Sequence, residues 1–256
     1  MQGVEMDDAG STDAIRTAGA AIGEAIRVFM LHPETVEQGL AAGYPDPFAA
    51  YFAGRGGVLG DATAETVASV FVVFDPGFVR TCWEKGVAVR DAASSARLYW
   101  DQAADFGRRH LAGATGLDRI VEIGEKIIAA APDPGLPLFA GWSRMPRAED
   151  APARALQVMF ILRELRASVH FCALALSGVS PVEAHILSKG SDYAAFMGWR
   201  KPYPDGAGKQ ERLADAEVAT NRRMAEIIGQ AVSGAELSEL AQSSVDALAW
   251  IKGGDR

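Results

Sequence analysis

The residues best suited to chemistry lie together in one unusually apolar segment, residues 159–176, which reads MFILRELRASVHFCALAL. Its middle carries Arg163, Glu164, Arg166 and His170. Burying a charge is unfavourable unless the charge is paired or bound to a ligand, so this segment needs either an internal ion network or a ligand pocket. It is therefore the first candidate site.

Helical geometry separates these side chains into two groups. At about 100° per residue, Arg163 and His170 fall within about 20° of each other, and Arg166 lies within about 60° of both. These three would form a cationic stripe, whereas Glu164 and Ser168 would project about a third of a turn away. Glu164 has no basic residue four positions further on, so its partner must come from another helix or from a ligand.

Such a stripe can bind an anion or a carbonyl group. The neighbouring arginines disfavour the protonated imidazole, which would leave His170 able to accept a proton. We therefore assign His170 and Glu164 as candidate catalytic acid or base groups, and Arg163, Arg166 and Ser168 as candidate ligand-binding residues. The alternative is a buried ion network that only fixes helix packing.

A second candidate is the glycine-rich segment YFAGRGGVLGD, residues 51–61. It is not a dinucleotide fingerprint, because Leu59 stands where the third glycine should be and no strand precedes it; nor does the chain contain a GK[ST] phosphate loop. Two interpretations stay open for Arg55: an exposed arginine in a tight turn, or a clamp that closes on the same pocket. Tyr51 and Arg55 are both taken as candidate ligand-binding residues.

The other residues with chemical potential give weaker signals. The four histidines are scattered, without HExxH, His-x-His or ExxH spacing, so we expect neither a metal nor another cofactor. No GxSxG motif indicates nucleophilic hydrolysis. We expect His185 at an ordinary surface position on its helix, and Cys82 and Cys172 in the core as small hydrophobic residues.

Composition and charge exclude several classes of protein. Apolar residues make up 49% and charged residues 23% of the chain, which is typical of a globular domain. The net charge of −8 argues against nucleic-acid binding as the main function, because the chain lacks a basic footprint overall. The acidic N-terminus does not resemble a secretory signal, and charges interrupt the apolar run, so we expect a cytoplasmic protein with no membrane partner.

Helical periodicity dominates the chain and predicts an all-α fold. Residues 151–177 are apolar nearly all round, so other helices must cover this helix from both sides. We therefore predict a single domain, 13–256, around it, after a flexible N-terminus at 1–12, with possible sub-halves 13–131 and 136–256. The expected helices are, within a few residues, about 13–31, 33–42, 46–53, 61–73, 76–84, 86–110, 117–131, 136–145, 151–177, 181–188, 207–232 and 234–251.

Several runs together resemble the actinobacterial SalK-like family, whose members are commonly labelled helix-turn-helix or winged-helix proteins. The family pattern LREHRGDGH corresponds to LRELRASVH here. The residues that match are Arg163, Glu164, Arg166 and His170, and those that depart are Leu165, Ala167, Ser168 and Val169. The matching runs keep the family's order over roughly residues 20 to 230: YFAGRGGVLG, FDPGFVRTCW, GLPLFAGWSRMP, LRELRASVHFCAL and GW at 198–199.

Two departures from the family matter for function. The family commonly has a histidine in its first helix where this chain has Ile26, and it has a β-hairpin wing where residues 200–219 contain little β-prone sequence. The resemblance thus implies a shared pocket that is drier here, and a winged portion that is degenerate or absent.

These observations favour a small-molecule binding protein or a cofactor-independent enzyme of actinobacterial specialised metabolism. It would act on an apolar or aromatic ligand with an anionic or carbonyl group, by cyclisation, isomerisation or elimination. The alternative is a winged-helix regulator that responds to the same ligand. Amphipathic stretches in 211–251 also suggest a possible homodimer.

Overall fold

All regular structure in residues 8–253, the part of the chain that the computed structural model describes, is helical. The predicted all-α fold is therefore confirmed. The helices are α1 (Asp8–Leu31), α2 (Pro33–Ala41), α3 (Pro47–Gly56), a 3₁₀ turn (Gly57–Leu59), α4 (Ala64–Val70), α5 (Pro76–Val89), α6 (Ala92–His110), α7 (Leu117–Ala130), α8 (Pro137–Ser143), α9 (Ala151–Ser177), α10 (Pro181–Ser188), α11 (Ser191–Phe196), α12 (Gln210–Gly229) and α13 (Gly234–Gly253).

Local capping explains many of the helix starts. Asp46 and Asp75 each accept a hydrogen bond from the backbone N–H three residues on and are followed by a proline in the first turn. Ser180 and Glu183 form a complete capping box at the start of α10. These short-range signals are readable in the sequence, which is why the predicted and observed starts agree closely there.

The helix α9 is the centre of the molecule. It packs against α1, α6, α7, α8 and α12, and side chains along its length, including Leu156, Phe160 and Leu165, are fully buried. Most of the buried apolar side chains belong to one cluster that includes residues from both the N-terminal and the C-terminal helices. One compact multi-helix domain around α9 is what the all-round apolar character of this segment predicted.

Several predicted boundaries were wrong. Helix α1 begins at Asp8, five residues before the predicted start, while residues 1–7 of the predicted flexible N-terminus lie outside the described part. The break between α5 and α6 lies at Arg90 rather than at residue 85, because Asp91 caps α6 by accepting a hydrogen bond from Ser94. Helix α11 was missed, because its six residues are too few to show a helical period.

The glycine-rich segment is a site of close packing rather than an open linker. Helix α3 continues through Gly56, and a Cβ at Gly57 would stand 2.1 Å from the carbonyl oxygen of Ala92. A Cβ at Gly54 would stand 2.9 Å from the ring of Tyr99. The glycines therefore bring α3 against α6, and Arg55 between them is carried into the interior.

No described residue between α11 and α12 is in a strand, which agrees with the prediction that the winged portion is degenerate or absent. Among the described helices, none is by itself long and apolar enough to cross a bilayer. Helices α9 and α10 taken together have sufficient length and apolar composition, but the chain bends by 103° between them.

Candidate functional site

The cationic stripe of α9 faces a cavity of about 890 Å³. Arg163, Arg166 and His170 all line it, together with Tyr51 and Arg55 from α3. The rest of the wall is largely apolar and comes from α1, α9, the α10–α11 region and α12. Five of the seven predicted site residues are thus brought together around one cavity of a size suited to a small organic ligand.

The other two predicted site residues lie on the far side of the helix. Glu164 is fully buried and Ser168 is 6% exposed, and neither is among the residues that line the cavity. This division follows the helical angles, which placed both about a third of a turn from the stripe. Neither residue is positioned to touch a ligand in the cavity.

Glu164 is the centre of a buried ion network. Arg55 donates two hydrogen bonds to it, from Nε to Oε1 and from Nη2 to Oε2, each 2.8 Å long. Arg163 Nη1 donates to Oε1 at 2.7 Å, and Arg55 Nη1 donates to the hydroxyl of Tyr51 at 2.8 Å. Burial alone would raise the pKa of Glu164, but the two arginines outweigh it and hold the pKa below its usual value.

Arg55 is therefore not the exposed arginine of the first interpretation. Its side chain is 1% exposed, and its guanidinium carbon lies 4.8 Å from the ring centre of Phe71, where a cation and a π-face attract. Trp142 fixes the backbone nearby by donating from Nε1 to the Arg55 carbonyl at 3.2 Å. The residue forms part of the cavity wall and is held there rigidly.

The network carries one more positive charge than negative. Glu164 supplies a single negative charge, and Arg55 already engages both of its oxygens. Arg163 shares one of them and is 26% exposed, on the side that lines the cavity. Among the described residues, Glu164 is the only carboxylate within ion-pair distance of Arg163. The wall of an apolar cavity thus holds an excess cation, which an anionic group would neutralise.

His170 is oriented by residues from α12. The Thr220 hydroxyl donates to the Ala216 carbonyl at 2.7 Å, so it accepts from Nδ1 of His170, 3.1 Å away. Glu217 Oε2 lies 3.4 Å from the same nitrogen. We therefore place the proton of the neutral ring on Nδ1, which leaves the lone pair on Nε2.

The charge state of His170 follows from its surroundings. Burial lowers its pKa below the ordinary value; Glu217 opposes this shift and Arg166 adds to it. Arg166 is itself paired with Glu217 and donates to the side-chain oxygen of Asn221 at 3.3 Å. The neutral imidazole, which can accept a proton at Nε2, is the form favoured near neutral pH.

Sequence reasoning missed the contribution of α12. Glu217 and Thr220, which bind Arg166 and His170, stand one helical turn apart, but no motif connects them to a segment 50 residues earlier. Arg27, held by Glu24 through two hydrogen bonds of 2.7 Å, and Lys189 also line the cavity and were not predicted. The only available signal was that α9 offers Arg166 and His170 no acidic residue three or four positions away.

Two smaller predictions were wrong. His185 is 7% exposed rather than on the surface, because Nε2 donates to the Val73 carbonyl at 2.7 Å across the α10 packing face. Cys172 is exposed, in a stretch of α9 (residues 171–177) where only Leu174 is buried; Cys82 is buried as predicted.

Among the described residues, His32, Glu34 and His110 form a group whose nitrogen and oxygen atoms lie within 4.8 Å of one another, close enough to hold a metal ion. None of the three lines the cavity. The histidines that are scattered in sequence are therefore partly clustered in space.

Comparison with known proteins gives one match. No curated protein and no solved structure matches the chain. The model of a helix-turn-helix family, HTH_67, matches residues 15–250, which include every element that lines the cavity. This match spans nearly the whole chain, and the protein therefore belongs to this helix-turn-helix family.

Proposed function

We propose that this protein binds a small, largely apolar molecule with one anionic or carbonyl group in the α9 cavity. The observation that carries the proposal is the excess positive charge of the Arg55–Glu164–Arg163 network on the wall of a cavity of about 890 Å³. An anionic group beside Arg163 would neutralise this charge, and the apolar wall would accept the rest of the ligand.

We further propose that the bound molecule undergoes cofactor-independent proton transfer, in a cyclisation, isomerisation or elimination. His170 Nε2 would accept the proton, while Arg163 and Arg166 stabilise the negative charge that develops on the substrate. Glu164 would act by holding Arg55 and Arg163 in place, because it is buried away from the cavity. The SalK-like resemblance extends this proposal to the specialised metabolism of actinobacteria.

A matched pair of fluorescent probes tests the binding proposal. Anilinonaphthalene sulfonate and N-phenylnaphthylamine share an aromatic body but differ in the sulfonate. Wild type should bind the sulfonate more tightly, and Arg163→Gln should reduce that preference by about 10- to 100-fold, because a charged hydrogen bond contributes roughly 1.5–3 kcal/mol. Exposed Arg212→Gln serves as the control and should change neither affinity. Equal affinities of wild type for both probes would contradict the proposal.

Turnover needs a separate measurement. Mass spectrometry of aromatic acids and ketones incubated with the protein should detect an isomer, a cyclised product or an eliminated fragment. In His170→Gln the rate should fall by about 10²–10⁴-fold with probe binding retained. If the protein binds the probe but converts none of the tested acids and ketones, the proposed catalysis is contradicted and only the binding function is retained.

The alternative, a ligand-responsive regulator, is supported by the family name and by exposed cations around α12. These are Arg200, Lys201, Arg212 and Arg222. An electrophoretic shift assay with DNA flanking the gene distinguishes the two functions. Sequence-specific, salt-sensitive retardation that changes with the ligand would favour the regulator.

A further inference from the structure

The junction of α1 and α2 meets the end of α6 at a cluster of potential metal ligands. His32 lies between α1 and α2, Glu34 is in the first turn of α2, and His110 is the last residue of α6. His110 Nε2 lies 3.2 Å from Glu34 Oε2, and His32 Nδ1 lies 3.9 Å from the same oxygen. Two imidazoles and one carboxylate are a donor set that divalent zinc and its neighbours prefer.

The spacing of the donors is close to that of a metal site. Bonds of about 2.0–2.2 Å in tetrahedral geometry separate ligand atoms by roughly 3.3 Å. The donor atoms here lie within 4.8 Å of one another, so small side-chain rotations bring them to bonding distance. His32 Nδ1 accepts a hydrogen bond of 3.3 Å from the Glu34 N–H, and a metal bound to this nitrogen would replace that hydrogen bond.

Aromatic packing holds both imidazoles in place. The ring of His110 stacks on Phe106 with centroids 4.1 Å apart, and the edge of His32 meets the same ring at 5.2 Å. The two imidazole side chains are 13% and 12% exposed, whereas Glu34 is 40% exposed. The site is thus rigid on its imidazole side and open to solvent on its carboxylate side.

Arg109 competes with a metal for Glu34. Arg109 Nε donates to Glu34 Oε2 at 3.1 Å, and this guanidinium is 43% exposed. A bound dication would repel it, so Arg109 must turn toward solvent when a metal enters.

We infer that His32, Glu34 and His110 form a binding site for a divalent transition metal of the zinc type, which joins the start of α2 to the end of α6. Three protein ligands leave at least one coordination position for water or for another small ligand. The site is separate from the α9 cavity in its residues and does not depend on the proposed function.

Zinc titration of the full chain after treatment with a chelator tests this inference by calorimetry. Wild type should bind one Zn²⁺, and His110→Ala and Glu34→Gln should each weaken the affinity by at least about tenfold. Arg109→Gln should strengthen it severalfold, since the competing cation is gone; a purely structural ion pair does not predict this gain. The control is His170→Gln, because His170 also lies beside a carboxylate but outside the proposed site. This variant should leave the affinity for Zn²⁺ unchanged.

A second measurement needs no variant. Zn²⁺ should shift the NMR signals of the His32 and His110 rings and leave those of His170 in place, and Co²⁺ should give the visible absorption of a tetrahedral site. Absence of binding at about micromolar Zn²⁺, an affinity unchanged in His110→Ala, or a loss of binding in His170→Gln would each overturn the inference.

Discussion

Glu164 is the single side chain on which the arrangement of the cavity wall depends most. It is fully buried, and its single negative charge is shared between Arg55 and Arg163. Breaking one partner of a buried pair leaves an uncompensated charge, which is far less favourable than the loss of a surface pair.

We expect Glu164→Gln to lower the free energy of unfolding by about 3–5 kcal/mol, as measured by urea denaturation. The control is Glu226→Gln, which removes an exposed carboxylate paired with Arg223. This variant should change the free energy of unfolding by less than about 0.5 kcal/mol. The double variant Arg55→Met with Glu164→Leu should lose less stability than the two single variants lose together, because it leaves neither charge of the pair without its partner. A loss from Glu164→Gln as small as that of the control would rule out this central role.

The same carboxylate predicts a dependence on pH. Its pKa in the folded protein is lower than in the unfolded chain, so its stabilisation is complete above the unfolded pKa of about 4.5. The stabilisation is lost as the pH falls through the folded pKa. The difference in stability between wild type and Glu164→Gln should therefore shrink on acidification below about pH 4.5.

Two charged neighbours of His170, Glu217 and Arg166, shift its pKa in opposite directions. Its pKa lies below the ordinary value of 6.5, so the unfolded chain binds more protons below that pH; the stabilising contribution of the neutral ring is complete above 6.5 and is lost as the pH falls from there through the folded pKa. NMR titration should show a further decrease in pKa for Glu217→Gln and an increase for Arg166→Gln. Shifts of the same sign in both variants would contradict the assigned environment.

Among the helices, α1 and α7 differ in what their glycines face. Gly23 of α1 lines the cavity, and a Cβ there would meet nothing within 4 Å. Gly124 of α7 packs against α9, where a Cβ would stand 2.3 Å from Cγ1 of Val158. One position has room for a side chain because of the cavity, and the other has none because two helices touch.

We expect Gly23→Ala to stabilise the protein by up to about 1 kcal/mol through helix propensity, and Gly124→Ala to destabilise it by about 1–3 kcal/mol through overpacking. Thermal unfolding measures both. Gly23→Leu should also occupy part of the cavity and weaken binding of anilinonaphthalene sulfonate while the fold is kept. Stabilisation by Gly124→Ala would show that α7 and α9 are less closely packed than described.

The molecule as a whole should behave as one cooperative unit. Helix α9, which belongs to the second predicted sub-half, packs against α1, α6 and α7 of the first and against α8 and α12 of its own, so neither predicted sub-half can bury its apolar faces alone. Calorimetry should therefore show a single unfolding transition, and a fragment of residues 1–131 should lack stable helical packing. Two separate transitions, or a fragment that folds on its own, would contradict this description.

Local patterns determined the helical class, many of the helix starts and the cationic stripe of Arg163, Arg166 and His170. Hydrogen bonds from i to i+4, caps and the 3.6-residue period act over a few residues, so a single sequence contains them. They do not determine which helices meet. Only the tertiary structure decided that Arg55 pairs with a carboxylate 109 positions away, that Glu217 and Thr220 hold His170, and that His32 meets His110. These contacts arise from the packing of whole helices around α9, whose long-range geometry no short motif encodes.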